Sequence, residues 1–150
     1  MTRVLVLAYG NPLRGDDGIG WHAAQALIPE FDGEDVRVLF CEQLTPDLAE
    51  PVARSRRVIF IDASAADEPG RVSCLRLSPS AEPPSSFSHE ITPGTLLAFA
   101  GALYEAIPEA SLVSLGAESF EFGQGLSPSV AKSLPALLAC VREQIALPEG

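Results

Sequence analysis

The sequence predicts an α/β protein: a three-layer α/β/α sandwich on a mostly parallel five-stranded sheet, with the fourth strand a candidate antiparallel edge. Three observations predict it. Five short runs rich in Val, Ile and Leu recur along the chain, and segments with helical spacing alternate with them. Four of those five runs are nearly continuous in apolar residues, as strands covered on both faces are. The 150 residues suit a single domain, 1–150, long enough to bury roughly 70% of its unfolded surface.

The elements follow in order. The first strand is "RVLVLAY" (3–9). Residues 17–28 then carry Ile19, Ala23 and Leu27 on one side and Trp21, Ala24 and Ile28 on another, which predicts a largely buried helix. The second strand is "VRVLFC" (36–41). "TPDLAEPVARS" opens with Thr45 as an N-cap and Pro46 at the first helical position, and Pro51 makes the helix short or kinked. "RVIFID" (57–62) is the third strand and runs straight into a carboxylate. In "RVSCLRL" (71–77), Val72, Cys74 and Leu75–Leu77 alternate with Arg71, Ser73 and Arg76, the pattern of a half-exposed edge. The Pro/Ser-rich "LSPSAEPPSSFSH" (77–89) is expected to be a mobile loop near the site. A further helix opens at Thr92–Pro93, the fifth strand is "SLVSLG" (111–116), and a last helix opens at Ser127–Pro128. That helix spaces Val130, Leu134, Leu137, Leu138, Val141 and Ile145 along one stripe, and Pro135 is expected to kink or restart it.

Charge and length bound the function. Twenty acidic residues face ten basic ones, a net charge of −10 that repels nucleic acid and anionic lipid. No apolar run reaches the ~18 residues needed to span a bilayer. The opening run is also too short for a signal peptide and lacks a small-residue cleavage site. A cytoplasmic monomer without membrane contact is expected. The cysteines, Cys41, Cys74 and Cys140, form no C-x-x-C pair, so neither a zinc ribbon nor a disulfide framework is indicated. Cys74 and Cys140 are expected to be core thiols.

The stretch "GNPLRGDDGIG", Gly10 to Gly20, carries the chemistry. Its glycines have the spacing of a phosphate-binding loop, but Asp16 and Asp17 stand where Lys and Ser/Thr would hold phosphate and magnesium. Capping of the following helix accounts for one aspartate more easily than for two. Ligand sites in open α/β sheets form beyond the carboxyl ends of the strands. There the chain would gather Asp17, Glu42 after the second strand, Asp62 at the end of the third and Glu118 after the fifth. Mutually repelling carboxylates most readily find their partner in a cation. His89, just ahead of a capped helix, is the natural third ligand of an open oxygen–nitrogen metal site. His22, about 140° around its helix from Asp17, is read as a surface or packing residue. No G-x-S-x-G elbow occurs, and a Cys41–His89–Asp62 set is a weaker alternative because nothing local activates the thiol.

With "GNPLRGDDGIG", "VIFIDA" and "SH" before a helix, the chain resembles the nickel–iron hydrogenase maturation endopeptidases. These clip a C-terminal extension from the hydrogenase large-subunit precursor once nickel has been inserted. The resemblance spans nearly the whole chain and implies the same sandwich. Matched by motif, it implies Asp17, Asp62 and His89 as the metal-binding and catalytic set. It also implies nickel carried in by the precursor rather than held permanently. Asn11, Asp16, Glu42 and Glu118 are expected to support these residues or touch substrate, with Asp16 capping the helix and orienting Asp17. Two turns depart from the family pattern, "EQLTP" (42–46) and "GAES" with Ser119, and both are expected near the substrate. A non-catalytic nickel-binding chaperone would use the same ligands.

Overall fold

Alternation along the chain becomes layering in space. The computed structural model describes residues 1–80, 91–123 and 125–148. Strands β1 (Thr2–Tyr9), β2 (Val36–Cys41), β3 (Ser55–Ser64), β4 (Val72–Leu77) and β5 (Glu109–Gly116) form one sheet in the order β2-β1-β3-β5-β4. All neighbouring pairs are parallel except β4 with β5, so the half-exposed fourth run is the antiparallel edge. The helices are α1 (Ile19–Phe31), α2 (Ala49–Ala53), α3 (Pro93–Tyr104) and α4 (Pro128–Ala146).

Period-two alternation divides each central strand between two cores. Val4, Val6 and Ala8 of β1, with Ile59 and Ile61 of β3, pack against α1 and α4. Leu5 and Leu7, with Val58 and Phe60, pack against α2 and α3. Both sides of the sheet are therefore dry, which is why these runs are apolar throughout. Each Val, Leu, Ile or Phe among them contributes about 1.5–3 kcal/mol on burial.

The order of connections positions the site. From β1 the chain passes through α1 to β2 on one side, then returns through α2 on the opposite face to β3 on the other side of β1. The connections diverge at the carboxyl ends of β1 and β3 and leave a crevice there.

Several local expectations are corrected. In α1 the buried stripe is Ile19, Gly20, Ala23, Ala24 and Leu27. Trp21 and Ile28 are each 37% exposed, because the helix covers the sheet from outside and has one face in water. The segment after Thr45 is short, as Pro51 demands: a 3₁₀ turn over Pro46–Leu48 and then the five residues of α2. The Thr45 side chain makes no capping bond. Thr92 does cap α3, accepting from the Thr95 amide at 3.1 Å. Helix α4 runs unbroken through Pro135 for 19 residues. Pro135 and Ala131, whose carbonyl loses its helical partner, are both exposed, so the cost of the missing bond falls on the solvent side while the buried stripe holds the helix down. Cys74 is not a core thiol; it is exposed on the edge strand. Cys140 is half-buried, and burial, then neighbouring Cys74 and Glu143, push its thiol up to about 11. No helix among the described residues is long and apolar enough to cross a membrane.

Candidate active site

The turn after β1 is built around Asp17. Its Oδ2 accepts the Asn11 amide at 2.7 Å, and the Asn11 side-chain oxygen accepts the Leu13 amide at 2.9 Å. Main-chain bonds from Arg14 to Asn11 and from Asp17 to Arg14 complete the fold-back. Gly10 sits at φ +133, and a Cβ there would strike the Asp17 carbonyl oxygen. The turn therefore needs glycine at that position for steric reasons as well as conformational ones. Half-buried, Asp17 emerges at the carboxyl end of β1 on a 3₁₀ turn over Gly15–Gly18.

Asp62 lies at the same end of β3. The strand runs two residues beyond it to Ser64, so Asp62 is inside the strand end rather than its last residue. Alternation places it on the face of Phe60, toward α3, and its Oδ1 accepts the Ala63 amide at 2.7 Å. Asp17, Glu42 and Asp62 together line a cleft of about 240 Å³, whose other walls include Ile91, Thr92 and Phe120. No lysine or arginine lines it among the described residues. In so small a volume, carboxylates of one sign raise each other's affinity for a cation.

The expected rim of four acids is reduced to three. Glu118 is exposed, accepts the Ser129 hydroxyl at 3.0 Å and does not line the cleft. Its carboxylate is drawn instead to the first turn of α4, where the helix dipole favours it. His89 and most of the 77–89 loop lie outside the described residues. Where the chain resumes, Ile91 and Thr92 line the cleft. Among the described residues, no three His, Cys, Asp or Glu side chains cluster so as to hold a metal ion.

Asp16 differs from its expected role. It makes no cap to α1, whose first residues receive no side-chain bond. It is fully buried and accepts four hydrogen bonds from Glu118, Ser119 and Ser127 across the molecule. Burial pushes its carboxyl up, but the bonds from Ser127, Ser119 and Glu118 outweigh this and hold it below the usual aspartate value. Nothing local in the sequence signals this role, because the partners are more than 100 positions away. Phe120 was likewise not visible as a wall of the cleft.

The remaining candidates are accounted for. His22 packs edge-to-face on Trp21, with ring centroids 5.0 Å apart. Cys41 is half-buried against the core on the α2 and α3 side. Burial, then Asp47, raises its thiol to about 11, which weighs against it as a nucleophile.

The whole architecture has known counterparts. The sequence matches no model of a known protein family, and no curated protein matches it in sequence. Solved structures do match. The hydrogenase maturating endopeptidase HybD from E. coli is 29% identical, with a TM-score of 0.73 over 95% of this chain and 94% of that one. A hydrogenase 2 maturation peptidase from a Thaumarchaeota archaeon is 26% identical, with a TM-score of 0.70 over 98% of this chain and 100% of the other. The [NiFe] hydrogenase maturation protease HycI from Thermococcus kodakarensis shares the fold at a TM-score of 0.77 and 19% identity, over 97% of this chain and 94% of its own. Over nearly its whole length, this chain resembles the nickel–iron hydrogenase maturation proteases.

Proposed function

We propose that the protein is an endopeptidase that removes the C-terminal extension of a nickel–iron hydrogenase large-subunit precursor after nickel insertion. The observation that carries this reading is the meeting of Asp17 and Asp62 in one acidic cleft at the sheet's switch point. The structural likeness to maturation proteases supports it independently.

In this reading Asp17, Asp62 and His89 grip the nickel already seated in the precursor. Their mutual repulsion makes the empty cleft a poor host for a nickel-free precursor, so docking tests whether loading is complete. Water then adds to the scissile carbonyl. Either the substrate's nickel or a cleft carboxylate acting as general base positions and activates that water, and its proton passes to the departing amine. Asn11 holds the turn that presents Asp17.

The test incubates the protein with a nickel-loaded, C-terminally extended precursor and weighs the product by mass spectrometry. A shortened large subunit is expected from the wild type only with nickel present, and none from Asp17→Asn or His89→Ala. Cleavage indifferent to nickel, or surviving both substitutions, defeats the reading. A nickel chaperone would instead bind the free metal and release no peptide.

A further inference from the structure

Asp16 is the buried acidic residue, among the described residues, to which the endopeptidase mechanism gives no part. It has no exposed surface, yet it lies next to a cleft residue in sequence. Its Oδ2 accepts the amides of Glu118 at 2.8 Å and Ser119 at 2.9 Å and the Ser127 hydroxyl at 2.8 Å. Its Oδ1 accepts the Ser127 amide at 2.7 Å. Three main-chain donors of an irregular connection are thus satisfied by one side chain, which only an acceptor at both oxygens can do.

The same two segments are joined by their backbones. The Asp16 amide donates to the Ser119 carbonyl at 2.8 Å, and the Gly123 amide to the Leu13 carbonyl at 3.0 Å. The Arg14 guanidinium lies 5.4 Å from the centre of the Phe122 ring. Phe120 falls between the two points that Asp16 pins, Ser119 and Ser127, and it lines the cleft beside Asp17 and Asp62. One hydrogen-bonded unit therefore carries both a cleft carboxylate and an aromatic wall of the cleft.

We propose that Asp16 is a positioning residue for the substrate peptide: by clamping the β5–α4 connection at Ser119 and Ser127, it sets Phe120 as the wall on which the peptide rests above Asp17 and Asp62. The proposal deepens the endopeptidase reading and rests on it for the cleavage readout. Asp16 touches no reacting atom and acts through Phe120. Its loss therefore weakens substrate binding more than it slows the bound substrate. A staple that served only folding would lower the amount of active protein and leave KM alone.

The experiment measures cleavage kinetics on nickel-loaded precursor and amide hydrogen exchange of the full chain. The variants are Asp16→Asn, Ser127→Ala, Phe120→Ala and the double variant Asp16→Asn with Phe120→Ala. In Asp16→Asn a side-chain amide donor meets the amide donors of the loop, so exchange at Glu118, Ser119 and Ser127 quickens about tenfold or more while β1 keeps its protection. Ser127→Ala, which removes one bond of four, lies between. KM rises about tenfold in Asp16→Asn with a smaller change in kcat, Phe120→Ala reproduces that split, and the double variant is no worse than either single one. Unchanged KM in Asp16→Asn, multiplied effects in the double variant, or exchange unaltered at the three amides would each overturn the proposal. If the wild type cleaves nothing, the endopeptidase reading fails by itself. Exchange, with precursor binding constants in place of KM, then decides the role of Asp16.

Discussion

The two rims of the sheet are both charged, and they use charge differently. At the amino-terminal rim two arginines are tied to main-chain carbonyls at the end of α4. Arg3 pairs with Asp35 at 2.9 Å and donates to the Ile145 carbonyl. Arg57, with only 11% of its side chain exposed, donates to the carbonyls of Gln144, Leu147 and Pro148 and faces Glu109 at 3.4 Å. These contacts tie the end of α4 to the sheet. At the carboxyl-terminal rim, Asp17, Glu42 and Asp62 share a cleft that no lysine or arginine lines among the described residues. The grooves beside Arg57 are larger in volume, about 510 and 400 Å³ against about 240 Å³. Size therefore does not mark the site. Charge of one sign, held where the connections diverge, does.

Neutralising the acids of the cleft should have the largest effect on activity. Asp17→Asn and Asp62→Asn are each expected to lower precursor cleavage about 10²–10⁴-fold, the range for a lost acid–base or ligating group. Asp17→Asn weakens the bond from the Asn11 amide but keeps an oxygen that can accept it, so its stability change stays within about 1.5 kcal/mol. Cleavage by mass and urea melts check the two halves. An Asp62→Asn variant that cleaves normally would move the chemistry elsewhere.

Arg57→Ala should do the reverse. It removes a donor from three carbonyls at and just beyond the end of α4 and one of the two arginine partners of Glu109, at a cost of about 2–4 kcal/mol in unfolding free energy. Per folded molecule at 25 °C, cleavage is expected to match the wild type. A fall in kcat without a fall in stability would mean that the two rims communicate.

Asp16, buried at the acidic rim, has its charge met by four hydrogen bonds, and pH tests this. Its folded carboxyl lies below the ordinary value of 3.8. The group therefore contributes stability that is fully present above the unfolded pKa and is lost as pH falls through the folded one. At neutral pH, Asp16→Asn is expected to cost about 1.5–3 kcal/mol. That gap to the wild type stays flat above about pH 5 and shrinks only in more acid solution. Urea melts across that range check it. A gap already closing between pH 7 and pH 5 would show a raised carboxyl and an underbonded one.

Local signals explain what the sequence disclosed. Dry strands announce themselves by continuous apolar runs, so the cores of β1, β2, β3 and β5 were legible within a residue or two at each end. The turn at Gly10 was legible because glycine and carboxylate answer a local steric demand, and Asp62 because an acid closing an apolar run is unusual. Exposure was harder to read. The edge position of β4 decides that Cys74 faces solvent, and the outer face of α4 decides that Pro135 is tolerated. Neither depends on the residue's own neighbours in sequence. The bonds of Asp16 to Ser119 and Ser127 span 103 and 111 positions and leave no periodic trace.

The smallest expected effect lies at the outer border of the amino-terminal rim, where answered charge and solvent meet. Asp35 is 69% exposed, and its partner Arg3 keeps a second bond to the Ile145 carbonyl. Asp35→Asn therefore leaves the arginine anchored and partly hydrated, so the loss should be under about 1 kcal/mol. Most of that loss should vanish when ionic strength rises from roughly 0.01 M to 1 M, as the Debye length contracts from about 30 Å to about 3 Å. The mostly buried Arg57 should give a largely salt-insensitive loss, because three of its four acceptors are carbonyls screened little by ions. Urea melts of both variants at the two salt concentrations separate these cases. A salt-insensitive loss of 2 kcal/mol or more at Asp35, about twice the ceiling for exposed pairs, would mean that the pair is part of the same anchor as Arg57 rather than its solvated fringe.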